Sequence, residues 1–440
     1  MNLVLAKTDT GRAVSNVFAA ARDHLPGAGH VAEVRREAFD TYERAGLPHR
    51  RIEEWKYTDL RALMREVAPL APQPDDAALV RAKAALAQAA VEGAAKLVLV
   101  DGVFVAALSD LALLETGVSV RTLREILQSG VDDASSDLLL TATTDPMLSL
   151  NAAMVTDGMV VNVANGTASA RPIQIVHVAT APSASAFTRS HVRLGKGTRV
   201  TLVESFVAAE GALAYQANDA VILRIGDEAK LSYLRLMADA GDAVNISSGV
   251  VTVGARVRLN LFNMIRGGAV SRYQGFLTLA GEGSDLSLNG INLLKDREHG
   301  DTTLVVDHAV PHCTSRENFR AVVDDRGHSV FQGRIIVRPD AQKTDGKMMT
   351  RALLLSDEAE ADNKPELEIF ADDVTCGHGA TSGALDEGLL FYLRARGLSA
   401  KDAQALLIQA FLGEAIEEIA DDNLRDFVTR QAERWLEARR

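Results

Sequence analysis

The middle of the chain contains four glycine-led segments of similar pattern: GTRVTLVES (Gly197–Ser205), GDEAKLSYLRL (Gly226–Leu236), GARVRLNLFN (Gly254–Asn263) and GSDLSLNGIN (Gly283–Asn292). Successive segments begin 29, 28 and 29 residues apart. A nearly constant step of this size is typical of architectures in which similar units stack on one another. The repeat therefore predicts a β-solenoid in this part of the chain.

Each segment carries two apolar residues separated by one position, namely Val200/Leu202, Leu231/Tyr233, Val257/Leu259 and Leu286/Leu288. Alternate residues of a strand lie on the same face, so each pair predicts one strand with one buried face. A β-sandwich of hairpins with regular turns would give a similar pattern. The repeat alone leaves that alternative open.

The sequence around the repeat changes from helical to β and back. From Asn151 to Ala371, short Val/Ile/Leu/Thr runs alternate with Gly, Asn and Asp, as in an all-β unit. Before it, KLVLVDGVFVAAL predicts a hairpin at Asp101-Gly102. The stretch His30–Arg44 has helical periodicity and ends before Gly46.

Two further stretches predict helices with recognisable ends. Asp76 is the expected cap of an Ala-rich helix that runs to about Ala90. After Gly383, one helix ends at Gly397, a second begins at the capping pair Ser399/Asp402, and a third begins near Leu424. We therefore expect an N-terminal helical part (1–95), a small α/β connection (96–150), a β core (151–380) and a C-terminal helical part (381–440).

Composition narrows the classes of function. The 440 residues are 47% hydrophobic and 24% charged, with a formal net charge of -12. Nucleic-acid binding needs concentrated positive charge, so this balance argues against it. No apolar stretch approaches the ~18–20 residues of a membrane span, and the N-terminus has no signal-peptide pattern, so we expect neither. Two distant cysteines form no disulfide framework, which indicates the cytoplasm.

The common catalytic motifs are missing from the sequence. There is no G-x-x-x-x-G-K-[ST] loop, no G-x-S-x-G, no H-E-x-x-H and no C-x-x-C. The chain is therefore not expected to hydrolyse ATP alone, and nothing in the sequence supports an enzyme.

Cys376 and His378, in DDVTCGHGATSG, are the strongest candidate ligands for a metal ion or cluster. If the strand before them continues, their side chains project to one side. A thiolate and an imidazole suit zinc, iron or iron–sulfur species, which usually need four donors. Distant residues or a second subunit would have to supply the rest. A buried structural cysteine and a hydrogen-bonded histidine remain the alternative.

Two other groups of residues have simpler interpretations. His299, His308, His312 and Cys313 could be read as a metal site, and a β-solenoid hydrolase or lyase using His308, His312 and Cys313 with a metal is the alternative function. The Pro-His-Cys-Thr-Ser run instead favours a structural turn between strands. The segment GLPHRRIEEWKYTDL interleaves aromatic and basic residues, as in proteins that stack bases. The acidic character of the chain favours packing of this segment on the β unit.

Several stretches together resemble the SufB/SufD family of the Suf iron–sulfur cluster assembly system. They are EEWKYTDL (53–60), HAVPHCTSREN (308–318), FQGRIIVRPDAQKTDGKMM (331–349) and the long run that ends at Gly397, which is most specific from Lys364 onward. The resemblance is dense from about Arg297 to Ala420. It implies a right-handed parallel β-helix core flanked by N-terminal and C-terminal helical subdomains.

The resemblance also implies a function and partners. A complex would contain one SufB-like scaffold chain, one SufD-like chain and two SufC-like ATPases, with the ATPase docked on the helices from about Leu385 to Ala420. His378 and Cys376 match the family's CxHGAT motif and would help to bind iron or a transient cluster shared with the partner chain. The isolated chain is expected to hold no tightly bound cofactor, and homodimerisation is conceivable because the edge of a β-solenoid is exposed.

Overall fold

The computed structural model describes residues 9–129, 137–140 and 145–439, and it is mostly β. Its strands are β1 (Ala95–Val100), β2 (Val103–Phe104), β3 (Val118–Thr122), β4 (Met159–Val163), β5 (Ile173–Ala179), β6 (Ser185–Leu194), β7 (Arg199–Ala208), β8 (Gln216–Ile225), β9 (Lys230–Ala238), β10 (Val244–Val253), β11 (Arg258–Arg266), β12 (Val270–Leu279), β13 (Asp285–Leu294), β14 (His299–His308), β15 (Thr314–Val323), β16 (His328–Val337), β17 (Asp345–Leu354), β18 (Glu360–Ile369) and β19 (Thr375–Gly383).

Helices flank these strands on both sides in the sequence. They are α1 (Asp9–Ala21), α2 (His30–Ala45), α3 (Leu60–Leu63), α4 (Asp76–Ala89), α5 (Leu123–Ser129), α6 (Pro146–Met154), α7 (Glu387–Ala395), α8 (Ala400–Ile416) and α9 (Asp422–Ala438). No helix within the described ranges combines the length and the apolar character needed to span a membrane.

The strands form a parallel β-solenoid of about eight turns, which confirms the predicted fold. One sheet has ten strands in the order β19-β17-β15-β13-β11-β9-β7-β5-β1-β2, and the other has nine in the order β18-β16-β14-β12-β10-β8-β6-β4-β3. Each strand from β5 to β17 pairs in parallel with the strand two positions later in the chain. A sandwich of hairpins would instead pair consecutive strands antiparallel.

The register explains why the repeat is regular. Val200, Leu231, Leu259 and Leu286 stack on one another, as do Leu202, Tyr233, Leu261 and Leu288, and all eight are buried in the interior between the sheets. Full burial of each such leucine contributes about 1.5–3 kcal/mol. Val257 and Leu259, the third predicted pair, are both buried in this interior, but Leu259/Leu261 is the pair in register with the other three.

A residue with positive φ lies three positions before the first inward residue of each segment. In two segments this residue is a glycine, Gly197 or Gly283, whereas in the other two it is Glu228 or Arg256. The left-handed conformation, which glycine adopts most easily, therefore marks the turn better than the glycine itself. Gly226 and Gly254 lie two residues before the positive-φ residue of their turns, whereas Gly197 and Gly283 are that residue themselves. The nearly constant spacing of the four glycines therefore does not reflect equivalent positions in the turns.

Several local predictions can be compared with the structure. The Asp101-Gly102 hairpin is confirmed: β1 and β2 pair antiparallel, and both turn residues have positive φ. Asp75, not Asp76, caps α4, because its carboxylate accepts the Ala78 N–H at 2.7 Å. The β region was predicted to begin at Asn151, but this residue lies within α6, so that boundary was wrong.

Parts of two other predictions lie outside the described residues. The predicted α/β connection (96–150) includes 130–136 and 141–144, which the structure does not describe. The first eight residues, where we expected no signal peptide, are also outside the described ranges.

The segment around Trp55 packs on the nine-stranded sheet, as predicted. The Arg272 guanidinium lies 3.8 Å from the centre of the Trp55 ring and donates to the Glu54 carbonyl at 2.8 Å. Thr58 donates to Asp301, which also accepts from Arg272 in a buried ion pair. A cation against an aromatic face and a paired buried carboxylate stabilise this contact, and they leave Trp55 1% exposed.

The C-terminal helices α8 and α9 cover the outer face of the ten-stranded sheet. Their buried side chains include Ile408, Leu412, Phe427 and Trp435, which pack against sheet residues such as Phe262. Ser399 caps α8 and pairs with Asp402, as predicted. These two helices are therefore part of the hydrophobic core.

Candidate functional site

Cys376 and His378 lie on β19, the last strand of the ten-stranded sheet. Cys376 aligns with Gly346 on β17, and His378 aligns with Met348. No strand beyond β19 or β18 continues either sheet in the described ranges, so this end of the solenoid is open.

The register shows which way the two side chains face. His378 continues the inward stack of Leu288, Glu317 and Met348, and Cys376 continues the stack of Leu286, Ser315 and Gly346. The earlier members of both stacks belong to the interior core, and Cys376 packs against that core. Both side chains therefore face the solenoid axis at its open end, where His378 remains exposed and Cys376 is partly exposed.

Burial raises the pKa of the Cys376 thiol above its usual value, and the Asp345 and Glu317 carboxylates act in the same direction. The Gly346 N–H opposes them. A metal ligand must be the thiolate. The thiol is therefore a weak ligand in the chain alone, and a cation or a positively charged partner at this end would favour its ionisation.

Glu317 is a further group at this end that the sequence analysis missed. Its carboxylate faces the interior one strand below Met348, and neither oxygen has a hydrogen-bond partner among the described residues. Burial raises its pKa to about 8, and the nearby polar Ser315 side chain and the positive charge of Arg316 offset this only in part. Glu317 could have been found because it occupies the inward position that Leu288 occupies one turn earlier. That equivalence is apparent only once the register of the strands is known.

The open end of the solenoid exposes strand edges and apolar side chains. Strands β18 and β19 present unpaired backbone groups, and β18 is nowhere fully buried. Ile369 and Phe370 are exposed beside them. A Cβ added to Gly377 would meet open space, so the backbone there is accessible. Exposed strand edges readily pair with the edge of another chain.

A second exposed apolar surface lies on α7 and the start of α8. We call it the α7 patch; its members are Leu389, Phe391, Tyr392, Leu398 and Leu406, and Phe391 is 75% exposed. None of the α7 residues is buried, in contrast to α8 and α9. Clustered exposed apolar residues indicate an interaction surface.

Within the described ranges, the residues of the second predicted constellation do not form a group of three or more neighbouring ligand atoms. His299 bonds to Thr58 at one end of β14, and His308 bonds to Ser315 at the other. Cys313 is buried in the core, and His312 lies in the turn between β14 and β15. Ten extended residues separate the ends of β14 by about 30 Å. The interpretation as a structural turn is confirmed, and no observation favours the hydrolase alternative.

The fold and this site together define a class of protein: a β-solenoid with a cysteine and a histidine on the last strand of an open end. Residues 177–411 match the family described as SUF system FeS cluster assembly, SufBD core domain, and residues 15–175 match the SufBD protein N-terminal region. The chain belongs to the SufBD family of iron–sulfur cluster assembly proteins.

Individual relatives agree with this assignment. The iron–sulfur cluster assembly protein SufD of Escherichia coli is 31% identical over 394 residues, which is 88% of each chain. A SufBD family protein of Synechocystis is 28% identical over 404 residues, covering 88% of this chain and 86% of the relative. SufD of Bacillus subtilis is 28% identical over 296 residues, covering 63% and 64%. A role in iron–sulfur cluster assembly follows from membership of this family.

Proposed function

We propose that the chain is a non-catalytic scaffold subunit that completes a binding site for iron or a nascent cluster only when a second chain covers its open end. The observation that carries this proposal is the position of Cys376 and His378 on the last, unpaired strand, facing the axis of the solenoid. The iron or cluster is the cargo of the assembly, and the remaining donors come from the partner.

The number of donors supports a shared site. Cys376 and His378 provide two of the four ligands that a tetrahedral iron or zinc site, or a cluster, usually takes. Within the described residues, no group of three or more potential ligands includes either of them. A partner that supplies two donors would complete the set, and its positive charge or the metal would favour the Cys376 thiolate.

A SufB-like chain is the proposed partner at the open end. Because β18 and β19 each have an unpaired edge, a second solenoid with the same kind of end can extend both sheets across the interface. The isolated chain can use the same edges to form a homodimer, which is the expected state when the partner is absent.

The α7 patch is the proposed docking site of a SufC-like ATPase. Since α8 and α9 already bury their apolar faces on the ten-stranded sheet, α7 is the C-terminal helix that is free to contact another protein. Movement of the ATPases would then be transmitted to the solenoid through the short connection from β19 to α7.

The first experiment compares cluster formation by the complete complex with wild-type chain, with His378→Ala and with Cys376→Ala. We expect both variants to assemble but to form at least about tenfold less cluster in reconstitution followed by absorbance and iron analysis. His24→Ala, an exposed histidine in the N-terminal part, is the matched control. An unchanged cluster yield with both site variants would refute the proposed site.

The second experiment tests the ATPase surface by co-purification. Phe391→Glu places a charge in the α7 patch and should abolish recovery of the ATPase, whereas Val80→Glu, at a 70% exposed position on α4, should not. These point variants test ATPase binding more specifically than deletion of the C-terminal helices, because the deletion would also expose the apolar outer face of the ten-stranded sheet. Equal recovery of the ATPase with both variants would contradict the docking proposal.

A further inference from the structure

A polar cluster lies inside the first turns of the solenoid, far from Cys376. His177 on β5, Glu204 on β7 and Asp219 on β8 are buried there. The register places His177 between Leu99 and Phe206, and Glu204 between Ile175 and Arg235, on the inward faces of the ten-stranded sheet.

The donor atoms of these three residues are close together. One ring nitrogen of His177, one oxygen of Glu204 and one oxygen of Asp219 all lie within 4.8 Å of one another. His177 Nε2 and Asp219 Oδ1 are 3.9 Å apart. Bonds of about 2.0–2.2 Å place the donors of one metal ion up to about 4 Å apart, so a small side-chain rotation suffices.

Two buried polar atoms of these residues have no hydrogen-bond partner in the part of the chain that the structure describes. His177 Nε2 and Glu204 Oε1 are buried, and neither has a hydrogen-bond partner among the described residues. An unpaired polar atom in the interior is unfavourable by about 1–3 kcal/mol. Two such atoms on residues whose ligand atoms lie within 4.8 Å of one another indicate a missing ligand.

The surrounding residues hold the three ligands in position. Asp219 accepts from Thr188 at 2.7 Å and from Ser247 at 3.1 Å. Glu204 accepts from Tyr233 and Arg235 through its other oxygen. The His177 ring stacks on Phe206 with centroids 4.4 Å apart and planes 8° from parallel. Outer hydrogen bonds to ligands, here to Asp219 and Glu204, are typical of metal sites in proteins.

We propose that His177, Glu204 and Asp219 bind one divalent first-row transition ion inside the solenoid. One imidazole and two carboxylates suit iron(II), manganese(II), cobalt(II) or zinc(II) better than calcium or magnesium, which prefer oxygen donors alone.

An ion can approach the cluster from one side. A cavity beside it is lined by His177, Phe206, Tyr215, Asp239 and Asn245, among others. The His177 side chain keeps 10% of its surface accessible. This cavity therefore reaches the cluster through His177, while Glu204 and Asp219 are buried behind it.

The inferred site is independent of the proposed function. Six strand spacings of about 4.8 Å separate β7 from β19 in the same sheet, so the two places are about 30 Å apart. Loss of one site should therefore leave the other unchanged, and each proposal can fail alone.

The test uses the full chain with Cys376→Ser and His378→Ala, so that the open end cannot bind metal. Cobalt(II) is titrated anaerobically and followed by its visible absorption and by the rise of Tm. We expect one ion per chain. Adding His177→Gln or Glu204→Gln should weaken binding at least about 100-fold, because loss of an outer hydrogen-bond partner alone weakens metal sites about 10–100-fold.

His191→Gln is the matched control, because His191 is a partly buried histidine on β6 that bonds to the Leu138 carbonyl instead. This variant should bind cobalt as the parent does. Should the parent bind no cobalt, or should His177→Gln and Glu204→Gln both leave binding unchanged, the inference is overturned, and buried water is the occupant of the cluster.

Discussion

Replacing Glu317 by glutamine is expected to stabilise the protein, and the gain should increase with pH. The carboxylate is 1% exposed and has no hydrogen-bond partner among the described residues. Glutamine has nearly the same shape and resembles the protonated acid without its charge. The substitution therefore removes the unfavourable ionisation of the buried group and changes little else.

The size of the effect follows from the two pKa values. In the folded chain the pKa of Glu317 is about 8, and its ordinary value is 4.5. Since the folded-state pKa is raised, the unfolded chain loses its proton first, and wild-type stability falls as pH rises from 4.5 to 8. At about 1.4 kcal/mol per pH unit, the loss is about 3 kcal/mol at pH 7 and about 5 kcal/mol above pH 8.

Thermal and urea unfolding from pH 5 to pH 9 would measure this difference. For a chain of this length, 1 kcal/mol corresponds to a change of about 1 °C in Tm. The variant should exceed wild type by less than about 1 °C at pH 5, by about 3 °C at pH 7 and by slightly more at pH 8.

Glu360→Gln serves as the control, since Glu360 is exposed on the neighbouring strand β18 and should give no trend. A constant difference across the pH range, or a less stable Glu317→Gln variant, would refute the reasoning. A confirmed gain would mean that the chain keeps an unfavourable carboxylate beside its open end, as functional sites often do.

Two further perturbations probe the packing of the helical parts. Asp301→Asn leaves the buried Arg272 without its charged partner and should lower the free energy of unfolding by about 3–5 kcal/mol; a loss below 1 kcal/mol in urea unfolding would contradict this. Deletion after Gly383 removes α8 and α9 and uncovers the apolar outer face of the ten-stranded sheet. We expect aggregation in gel filtration, and a monodisperse truncated chain would show that these helices are dispensable for the core.

The sequence predicted the type and order of the elements because local patterns carry that information. Alternating apolar residues, as in the pair Leu286/Leu288, reflect burial of one face of a strand. The capping pair Ser399/Asp402 correctly predicted the start of α8. The boundary near Asn151 was missed, because α6 is apolar nearly throughout and has no amphipathic period to reveal it.

The candidate site was only partly visible in the sequence. Cys376 and His378 were found from their residue types and spacing, and their role stays a prediction. Glu317 was not found, because its significance depends on stacking below Met348, a contact between strands about thirty residues apart. The three ligands of the interior cluster are also separated in the chain and share no motif.

The amino-acid sequence alone indicated the β and helical regions, the start of α8, the absence of common catalytic motifs and the family resemblance, since each depends on neighbouring residues or on short motifs. Only the tertiary structure decided the register, and with it which side chains face the axis. It also decided that one end of the solenoid is open and that His177, Glu204 and Asp219 meet. Stacking of turns joins residues that no local pattern relates, so these features appear only when the chain is folded.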